Sequence, residues 1–588
     1  KKVQPQTPTR AILWLEEYMK KVQPRNLKKV QPQTPTRAIL WLEEYQGDAI
    51  THFNKTHPKF KKSFTTFNPA ILTQLSFSCL LLQVSLDAMV VFNKYLLITD
   101  SDGDSGDKGT KLLVHPPIQG TYSGKWPSHQ YPELKDWSLE LSQDDGTKVH
   151  SLKSLIHSKE PRTTPFQTLG RRIIDGDAHW GPSLRLSGAF SYIENYWEWL
   201  EDILGRNKQE LRENCLFDAL YASLFTYDRN LHVLRAFCEA WCPDTNTLHT
   251  SVGELSLSLW DLHKLGGLPI IGGIYEEVIP CAEELTGVNE KKLRHIPQSC
   301  EYLFAALHHL QHGESNKAGV SAAQWIKFWF KGKSRYSKPK QRRIKRASRA
   351  QATQNPDGEI GQPRKFSSQD NGVFDTIGVK LHLREETYLA AFISCWLCVF
   401  ALPDEDLHYI RPSTFKMASM MAAGRKTCLA VPVLLNIYRG LDKISNSATP
   451  GCARAAFPVH YVYAWLASYF STHYSTPNTM PGPTMTNYSG EGGARYFDEN
   501  SARDLIHQGD KATWGITSLV KNRNELFIDN GKLANLELSY FVSACSNYLV
   551  LHAEGDFLVE PYSPYRFARQ FGFYQVPPQE LGADVRST

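Results

Sequence analysis

The chain has 588 residues, 41% of them hydrophobic and 12% aromatic, which is enough for at least one large core and excludes a disordered or fibrous protein. The formal net charge is +6, but residues 327–349 hold 11 Lys and Arg and no Asp or Glu, and the remainder carries 55 basic against 60 acidic residues. This confinement of the basic excess to one patch excludes a nucleic-acid protein whose whole surface is basic.

The cysteines and the apolar segments indicate the surroundings of the protein. Eleven Cys are scattered without a framework, which is typical of reduced, buried thiols in an intracellular compartment. The most apolar helix candidate, residues 388–402, is shorter than the ~20 residues that cross a bilayer. We therefore predict a buried core helix there and no membrane contact.

The first 160 residues show little regular patterning. The stretch KKVQPQTPTRAILWLEEY occupies residues 1–18 and recurs unchanged at 28–45. Two copies are too few for a solenoid, which needs about three repeats, so identity without drift favours a recent duplication or a gene-model join. We predict that residues 1–160 are a poorly defined leader with a duplicated N-terminal segment.

Helical patterning becomes clear after Pro165. Apolar residues recur at three- and four-residue spacing over 192–204, which predicts an amphipathic helix. A second helix follows, with Asp228 as its predicted N-cap and Pro243 as its stop. A short strand over 254–257 then changes at Ser258 to a short helix that ends at Gly266-Gly267.

The C-terminal half is predicted to be mostly helical. A hairpin turns at Ala553–Asp556, and a helix follows with Ser563 as N-cap, Pro564 in its first turn and Gly572 as C-cap. The earlier helices of this half, marked by Pro412, Pro432 and Pro458 near their starts, are predicted at 387–402, 413–423, 432–444 and 458–471. We therefore predict a mainly α fold with small β elements, an α+β domain over 165–575, followed by a tail at 576–588.

One long loop interrupts this domain. Residues 331–372 lack periodicity and are rich in basic and polar residues, which predicts an inserted loop. Its basic centre, KPKQRRIKRASR, contains Lys338, Lys340, Arg342, Arg343, Lys345, Arg346 and Arg349. We interpret this run as a nuclear import signal, and a solvated loop or a direct nucleic-acid contact remains as the alternative.

Common catalytic motifs are incomplete. GKS at 332–334 lacks the first glycine and the strand of a phosphate loop, and Asp104-Ser105-Gly106 lacks the apolar flanks of an aspartic protease. The acidic run that begins at Asp100 does not match a calcium loop at its sixth and twelfth positions. Asp177-Ala178-His179 resembles the first motif of metallophosphatases, but the later motifs do not follow.

Histidine and cysteine spacing offers a weak metal hypothesis. His308 and His312 lie one helical turn apart around His309, and we favour a polar helix face over a zinc site because the usual glutamate is missing. The pairs Cys395/Cys398 and Cys238/Cys242 are interpreted as small buried hydrophobic residues. We therefore predict no metal and no cofactor.

Four blocks resemble the plant mobile domain, which is also labelled aminotransferase-like. They are GELSLSLWDLHKLGGLPIIG (253–272), TYLAAFISCWLCVFALP (387–403), IRPSTFKMASMMAAGRKTCLAVPVLLNIYRGLDKIS (410–445) and EPYSPYRFARQFGF (560–573). The resemblance implies a relation to transposable elements and to nuclear maintenance-of-meristems proteins, which act in silencing, genome stability and meristem function. Some members of the family are fused to, or bind, a PP7-type phosphatase, so the resemblance implies a PP7-type phosphatase-like partner. No lysine has the context of a pyridoxal phosphate Schiff base.

Five basic residues of these blocks are a further candidate group. Arg411, Lys416, Arg425, Lys426 and Arg439 could line one polar face. We favour solvated helix ends and partners for local carboxylates over an anion site.

From the sequence we expect a non-enzymatic nuclear protein-interaction module with a protein partner and weak nucleic-acid contact. The alternative is a transposon-encoded protein with a metal-dependent nuclease or strand-transfer role, which needs about two or three converging carboxylates. A degenerate derivative of such an element is the third interpretation.

Overall fold

The computed structural model describes residues 167–571 apart from 182–183, 185, 290–291, 314–318, 337–362, 406–408, 476–481, 520–525, 530–533 and 554–555. It also describes three strands before residue 152. The chain divides into two compact units, of which the smaller comprises residues 17–113 and 528–530. Every described helix lies in the larger unit.

The elements follow one another in this order. The strands are β1 (Thr110–Leu113), β2 (Ser138–Gln143), β3 (Gly146–Ser151), β4 (Trp241–Cys242), β5 (Thr247–Thr250), β6 (Gly253–Leu255), β7 (Glu276–Glu277), β8 (Leu526–Asp529), β9 (Asn547–Ala553) and β10 (Asp556–Tyr562). The helices of the first half are α1 (Leu169–Ile174), α2 (Tyr196–Arg206), α3 (Lys208–Glu213), α4 (Phe217–Tyr221), α5 (Leu231–Ala240), α6 (Leu259–Gly266), α7 (Ala282–Thr286), α8 (Ser299–Gly313) and α9 (Ala322–Trp329). Those of the second half are α10 (Ser368–Ile377), α11 (Arg384–Trp396), α12 (Phe415–Ala422), α13 (Ala430–Ser445), α14 (Val459–Phe470), α15 (Glu499–Gln508) and α16 (Asn535–Ser543).

Short sheets lie among these helices. β2 and β3 form an antiparallel hairpin within the predicted leader, where the sequence pattern did not indicate one. A second sheet has the order β4-β5-β6, with antiparallel neighbours. A third has the order β10-β9-β7, in which β7 runs parallel to β9. The predicted mainly helical α+β fold is therefore confirmed.

Local sequence explains the ends of several helices. Helix α6 begins with a capping box in which Ser258 and Asp261 bond each other's backbone, and it ends at Gly267 with φ 71°, as the sequence predicts. Helix α5, by contrast, is capped by Asn230, whose side-chain oxygen accepts from the N–H groups of His232 and Val233. The predicted cap at Asp228 is wrong, since that carboxylate bonds a distant loop instead.

Two other predicted boundaries differ from the structure. Helix α10 begins at Ser368, inside the predicted loop 331–372, because Ser367 and Asp370 form a capping box. The C-terminal segment Pro564–Phe571 forms 3₁₀ turns with a kink at Phe567 (φ −126°) rather than one α-helix. This kink accompanies burial of most side chains of the segment, whereas an amphipathic surface helix buries only one stripe.

The core lies around α11 and α14. All residues of α14 are buried, and a π-helical turn at Leu397–Ala401 continues α11 through the same apolar interior. Aromatic side chains fill it, with Trp199 packed edge-on against Phe392 at 5.0 Å between ring centroids. Across the part of the chain that the structure describes, no helix is long and apolar enough to cross a membrane.

Candidate functional site

The seven basic residues of the predicted import signal lie outside the described residues. They are Lys338, Lys340, Arg342, Arg343, Lys345, Arg346 and Arg349. The described part of the chain stops at Tyr336, before this segment, and resumes at Pro363, after it. Residues 337–362 are called the insert below, and the flanks determine where it leaves the domain.

The leading flank is hydrogen-bonded to α2. Oε1 of Glu198 accepts from the backbone N–H groups of Arg335 at 2.5 Å and Tyr336 at 2.8 Å. The side chains of Arg335 and Tyr336 also bond Glu201. In addition, the hydroxyl of Tyr192 donates to the carbonyl of Tyr336 at 2.8 Å. The chain is therefore held by both backbone and side-chain bonds up to the point where the insert begins.

The returning flank is bonded to the same helix. The backbone N–H of Arg364 donates to Oδ1 of Asp202 at 3.1 Å, and its guanidinium donates to both oxygens of Asp370 at 2.8 and 2.7 Å. Arg206 covers the ring of Phe366 at 4.0 Å. Burial raises the pKa of Asp370, but hydrogen bonds from Arg364 and Ser367 outweigh it, so its pKa lies below the ordinary value.

The two flanks meet α2 one helical turn apart. Glu198 and Asp202 are four residues apart, which corresponds to about 6 Å along the helix axis. The insert thus leaves and re-enters the domain at one place. Moreover, the acids Glu201, Asp202 and Asp370 pair with Arg335, Arg206 and Arg364 respectively.

The five basic residues that the sequence placed on one polar face are separated. Arg411 pairs with Glu277 at 2.6 Å, Lys416 with Glu276 and Glu284 at 3.0 and 2.6 Å, and Arg439 with Glu560 at 3.3 Å. Arg425 and Lys426 lie on an exposed turn after α12. The structure therefore gives three of these residues carboxylate partners and brings only two together at the surface.

A buried polar network joins the first of the four sequence blocks to the last. The sequence did not predict this connection. Arg566 donates to both carboxylate oxygens of Glu254 at 2.8 and 2.9 Å, and both side chains are buried. Gln570 exchanges two hydrogen bonds with the backbone of Ser256, at 2.7 and 2.8 Å. The hydroxyl of Tyr438 lies 3.0 Å from that of Ser256 and links the third block.

This network is satisfied by its own members. Burial raises the pKa of Glu254, but the charge and hydrogen bonds of Arg566, together with Thr247, bring it below its ordinary value. Glu254 therefore stays ionised opposite its guanidinium. A fully buried, paired carboxylate of this kind holds elements together and offers no open position for a substrate.

Two aspartates within these blocks, the buried Asp261 and the half-buried Asp442, have raised pKa values. Burial raises the pKa of Asp261 to about 6, although Ser258, Tyr469 and Thr517 donate hydrogen bonds to it. Burial raises the pKa of Asp442 to about 7. The hydroxyl of Tyr469 donates to Oδ1 of Asp261 at 2.8 Å, and the indole N–H of Trp241 donates to Oδ1 of Asp442 at 2.7 Å.

The histidines and cysteines that the sequence singled out are placed without a metal cluster among the described residues. The rings of His308 and His312 stack at 4.0 Å, and Nδ1 of His312 lies 2.9 Å from the carbonyl of His308. Within the described ranges, no group of three or more His, Cys, Asp or Glu side chains is placed to hold a metal ion. Cys238, Cys242, Cys395 and Cys398 are all buried, and burial raises the pKa of each thiol.

The remaining motifs lie apart from these features. Asp177 and His179 are exposed in the turn after α1. Gly332–Ser334 follows the end of α9 and precedes the insert. In a phosphate loop this motif would instead be followed by a helix. Asp104–Gly106 falls outside the described residues.

Asp228 has a role that the sequence did not indicate. Its Oδ2 accepts from the backbone N–H groups of Gly492 at 3.0 Å and Ala494 at 3.4 Å. The carbonyl of Asp228 also lies 3.0 Å from Nε2 of His473. This carboxylate therefore holds the glycine-rich loop at 490–494.

The sequence profile described as the plant mobile domain matches residues 215–588. The match includes the four blocks, the insert and the Glu254–Arg566 pair. This chain belongs to the plant mobile domain family. No curated protein and no solved structure matches the chain.

Proposed function

We propose that this protein is a non-enzymatic nuclear protein-interaction module, and that its basic insert is the import signal. The function of such a module lies in gene or transposon silencing, genome stability or meristem maintenance, as the family resemblance implies. Its partner is a protein, with a PP7-type phosphatase-like protein as the first candidate. The insert also makes weak, salt-sensitive contacts with nucleic acid.

The observation that supports this proposal is the attachment of both flanks of the insert to α2. Tyr336 and Arg364 bond carboxylates one turn apart, so the chain between them is presented from a single place on a folded domain. Import signals are recognised as short basic peptides, and such recognition needs a run of basic residues away from competing carboxylates. Of the nearby acids, Glu201, Asp202 and Asp370 are already paired with Arg335, Arg206 and Arg364, and Glu198 is buried and accepts backbone N–H groups.

Import is tested by imaging a fluorescent fusion of the full chain in plant cells. Deletion of residues 338–349 should abolish nuclear accumulation. A matched control changes Lys28 and Lys29 of the duplicated leader to Ala and should leave accumulation intact. Unchanged accumulation after the deletion would contradict the import role.

Partner binding is tested separately by recovering the tagged chain from nuclei and identifying bound proteins by mass spectrometry. A phosphatase or chromatin proteins should be enriched over a tag-only control. For the nucleic-acid contact, the purified chain should bind a labelled DNA duplex weakly, with affinity that falls steeply as salt rises. Recovery of no protein above the control would argue against an interaction module.

A further inference from the structure

One histidine is buried in the core without a hydrogen-bond partner. His460 lies in the first turn of α14 and is 2% exposed. Neither of its ring nitrogens has a partner among the described residues. A neutral imidazole carries one donor and one acceptor, and most buried groups of this kind in folded proteins are hydrogen-bonded. The burial of His460 therefore costs stability that an apolar ring in its place would not cost.

Aromatic rings surround this histidine. The ring of Phe400 stacks on that of His460 at 4.0 Å between centroids, with 27° between the planes. The rings of Tyr461 and Tyr227 follow at 4.6 and 6.0 Å. Because the N–H bond of an imidazole lies in the plane of its ring, a ring stacked on its face cannot accept that bond. The hydroxyl of Tyr227 is already bonded to the carbonyl of Ala222 at 2.8 Å.

The stacked pair joins two central elements of the core. Phe400 belongs to the π-helical turn Leu397–Ala401, which continues α11, and His460 belongs to α14. Single π-helical turns within longer helices are frequent at functional sites. The contact between these two rings therefore lies where α11 and α14 meet, and its loss would open the interior of the domain.

A protonated His460 would have no compensating group. The titratable groups in ring contact with it are the phenols of Tyr227 and Tyr461, and burial raises the pKa of both, so they are neutral. The π-helical turn contains one titratable group, the thiol of Cys398, and burial raises its pKa as well. No carboxylate of a described residue bonds His460, and the N-terminal end of a helix disfavours a cation.

Burial without an opposing charge lowers the pKa of His460 from 6.5 to about 3. Between these two values the unfolded chain takes up a proton that the folded chain does not. The contribution of this group to stability is therefore present above about pH 6.5 and is lost as the pH falls below it. Attraction between an imidazolium and the face of Phe400 opposes this effect but does not outweigh it, since the pKa is lowered.

We propose that His460 is an acid-sensitive switch of this domain: the neutral ring keeps α14 packed against Phe400, and protonation opens the core at this contact. A histidine suits this role because its charge changes closer to neutral pH than that of other side chains. The inference is independent of the proposed interaction function.

The test measures the reactivity of Cys398, which is buried two positions from Phe400 in the same turn. The purified full chain is treated with dithiodipyridine, a disulfide that reacts with thiols in acid, and peptide mass spectrometry follows labelling at Cys398. His460→Phe keeps an aromatic ring but cannot take up a proton. The ratio of the wild-type labelling rate to that of this variant should rise about tenfold from about pH 6.5 to about pH 5. Comparison at one pH cancels the pH dependence of the thiol reaction itself.

Two further variants complete the experiment. His460→Asn also lacks a titrating group and should give the same rise, which covers the case that the ring of Phe does not fit. His382→Asn changes an exposed histidine and should be labelled at the wild-type rate at each pH. Near-UV circular dichroism at neutral pH checks that each variant is folded.

Two outcomes would overturn the inference. A ratio that stays constant with pH for both His460 variants would show that protonation of this histidine does not open the core. Slower labelling of the wild type than of both variants in acid would show that the core stabilises the protonated ring. Neither result bears on nuclear import or on partner recovery, which test the proposed function.

Discussion

The guanidinium of Arg566 and the carboxylate of Glu254, 312 positions apart in the chain, form a bidentate ion pair at 2.8 and 2.9 Å. The pair is buried and connects the C-terminal segment to β6. Because desolvation of two charges is costly, such a pair stabilises the fold only while both partners are present.

Removal of one partner of this pair should be strongly destabilising. Arg566→Met leaves the Glu254 carboxylate buried without its cation, and we expect a loss of roughly 3–5 kcal/mol in the free energy of unfolding. The double variant E254Q/R566M should lose less, because it leaves no buried charge. Urea unfolding measures both.

As a control, Lys443→Met breaks the exposed pair with Glu405 and should cost less than about 1 kcal/mol. Equal losses for the single and double variants at the buried pair would contradict this account.

The insert should be dispensable for folding. Replacement of residues 338–361 by a linker of about six Gly and Ser residues spans the distance of about 6 Å between the two anchor points on α2. We expect the shortened chain to unfold at least as cooperatively as the wild type and to be stabilised by about 1 kcal/mol, because a shorter loop loses less entropy.

A comparison variant tests the anchor rather than the loop. Glu198→Ala in the full chain removes the acceptor of two backbone N–H groups and should destabilise the protein by roughly 1–3 kcal/mol. Differential scanning calorimetry measures both proteins. A large loss of stability in the shortened chain would mean that the insert itself packs against the domain.

The contribution of Asp442 to stability should fall as the pH rises toward neutrality. Burial raises its pKa from 3.8 to about 7; Glu560 and Asp244 add to the rise, while Trp241 and Arg439 oppose it. Between these two values the folded chain holds a proton that the unfolded chain has lost, so the contribution is present at low pH and is lost as pH rises through about 7.

The variant Asp442→Asn isolates this contribution. Its amide oxygen still accepts from the indole of Trp241, which lies 2.7 Å from Oδ1 in the wild type. The fall in unfolding free energy between about pH 5 and about pH 7 should be smaller than in the wild type by on the order of 1 kcal/mol per pH unit. Asp261 keeps part of the slope, since its pKa is also raised. Glu405→Gln, which changes an exposed carboxylate, is the control and should leave the slope unchanged. An unchanged slope in the Asp442→Asn variant would rule out Asp442 as the source.

The close approach at Gly272 should not tolerate a side chain. Gly272→Ala places a Cβ 2.7 Å from the backbone of Thr427, and we expect a loss of about 2 kcal/mol or more. Gly378→Ala is the matched control, because Gly378 also has a positive φ of 72° but no atom within 4 Å of the added Cβ. That variant should lose only about 1 kcal/mol, from backbone strain alone. Chemical denaturation compares them, and equal losses would remove the argument from the close approach.

The sequence by itself determined the elements whose signals are local. The helix between Ser258 and Gly267 and the hairpin around Ala553–Asp556 lie where sequence patterns place them. The reason is that a capping side chain, a left-handed glycine and a β-rich run act on residues only a few positions away. The resemblance over four blocks also indicated the family that the profile match then showed.

Only the tertiary structure decided which side chains meet. Asp228 looked like a helix cap in the sequence, but its carboxylate bonds Gly492, which lies 264 positions away. Likewise, nothing near Arg566 in sequence indicated Glu254 as its partner, and the kink at Phe567 accompanies burial that local propensity does not encode. Five basic residues of one block look alike in the sequence, and the folded chain alone gives Arg411 a carboxylate while it leaves Arg425 at the surface. Pairing over such distances depends on how the helices pack around α11 and α14, which short-range preferences do not specify.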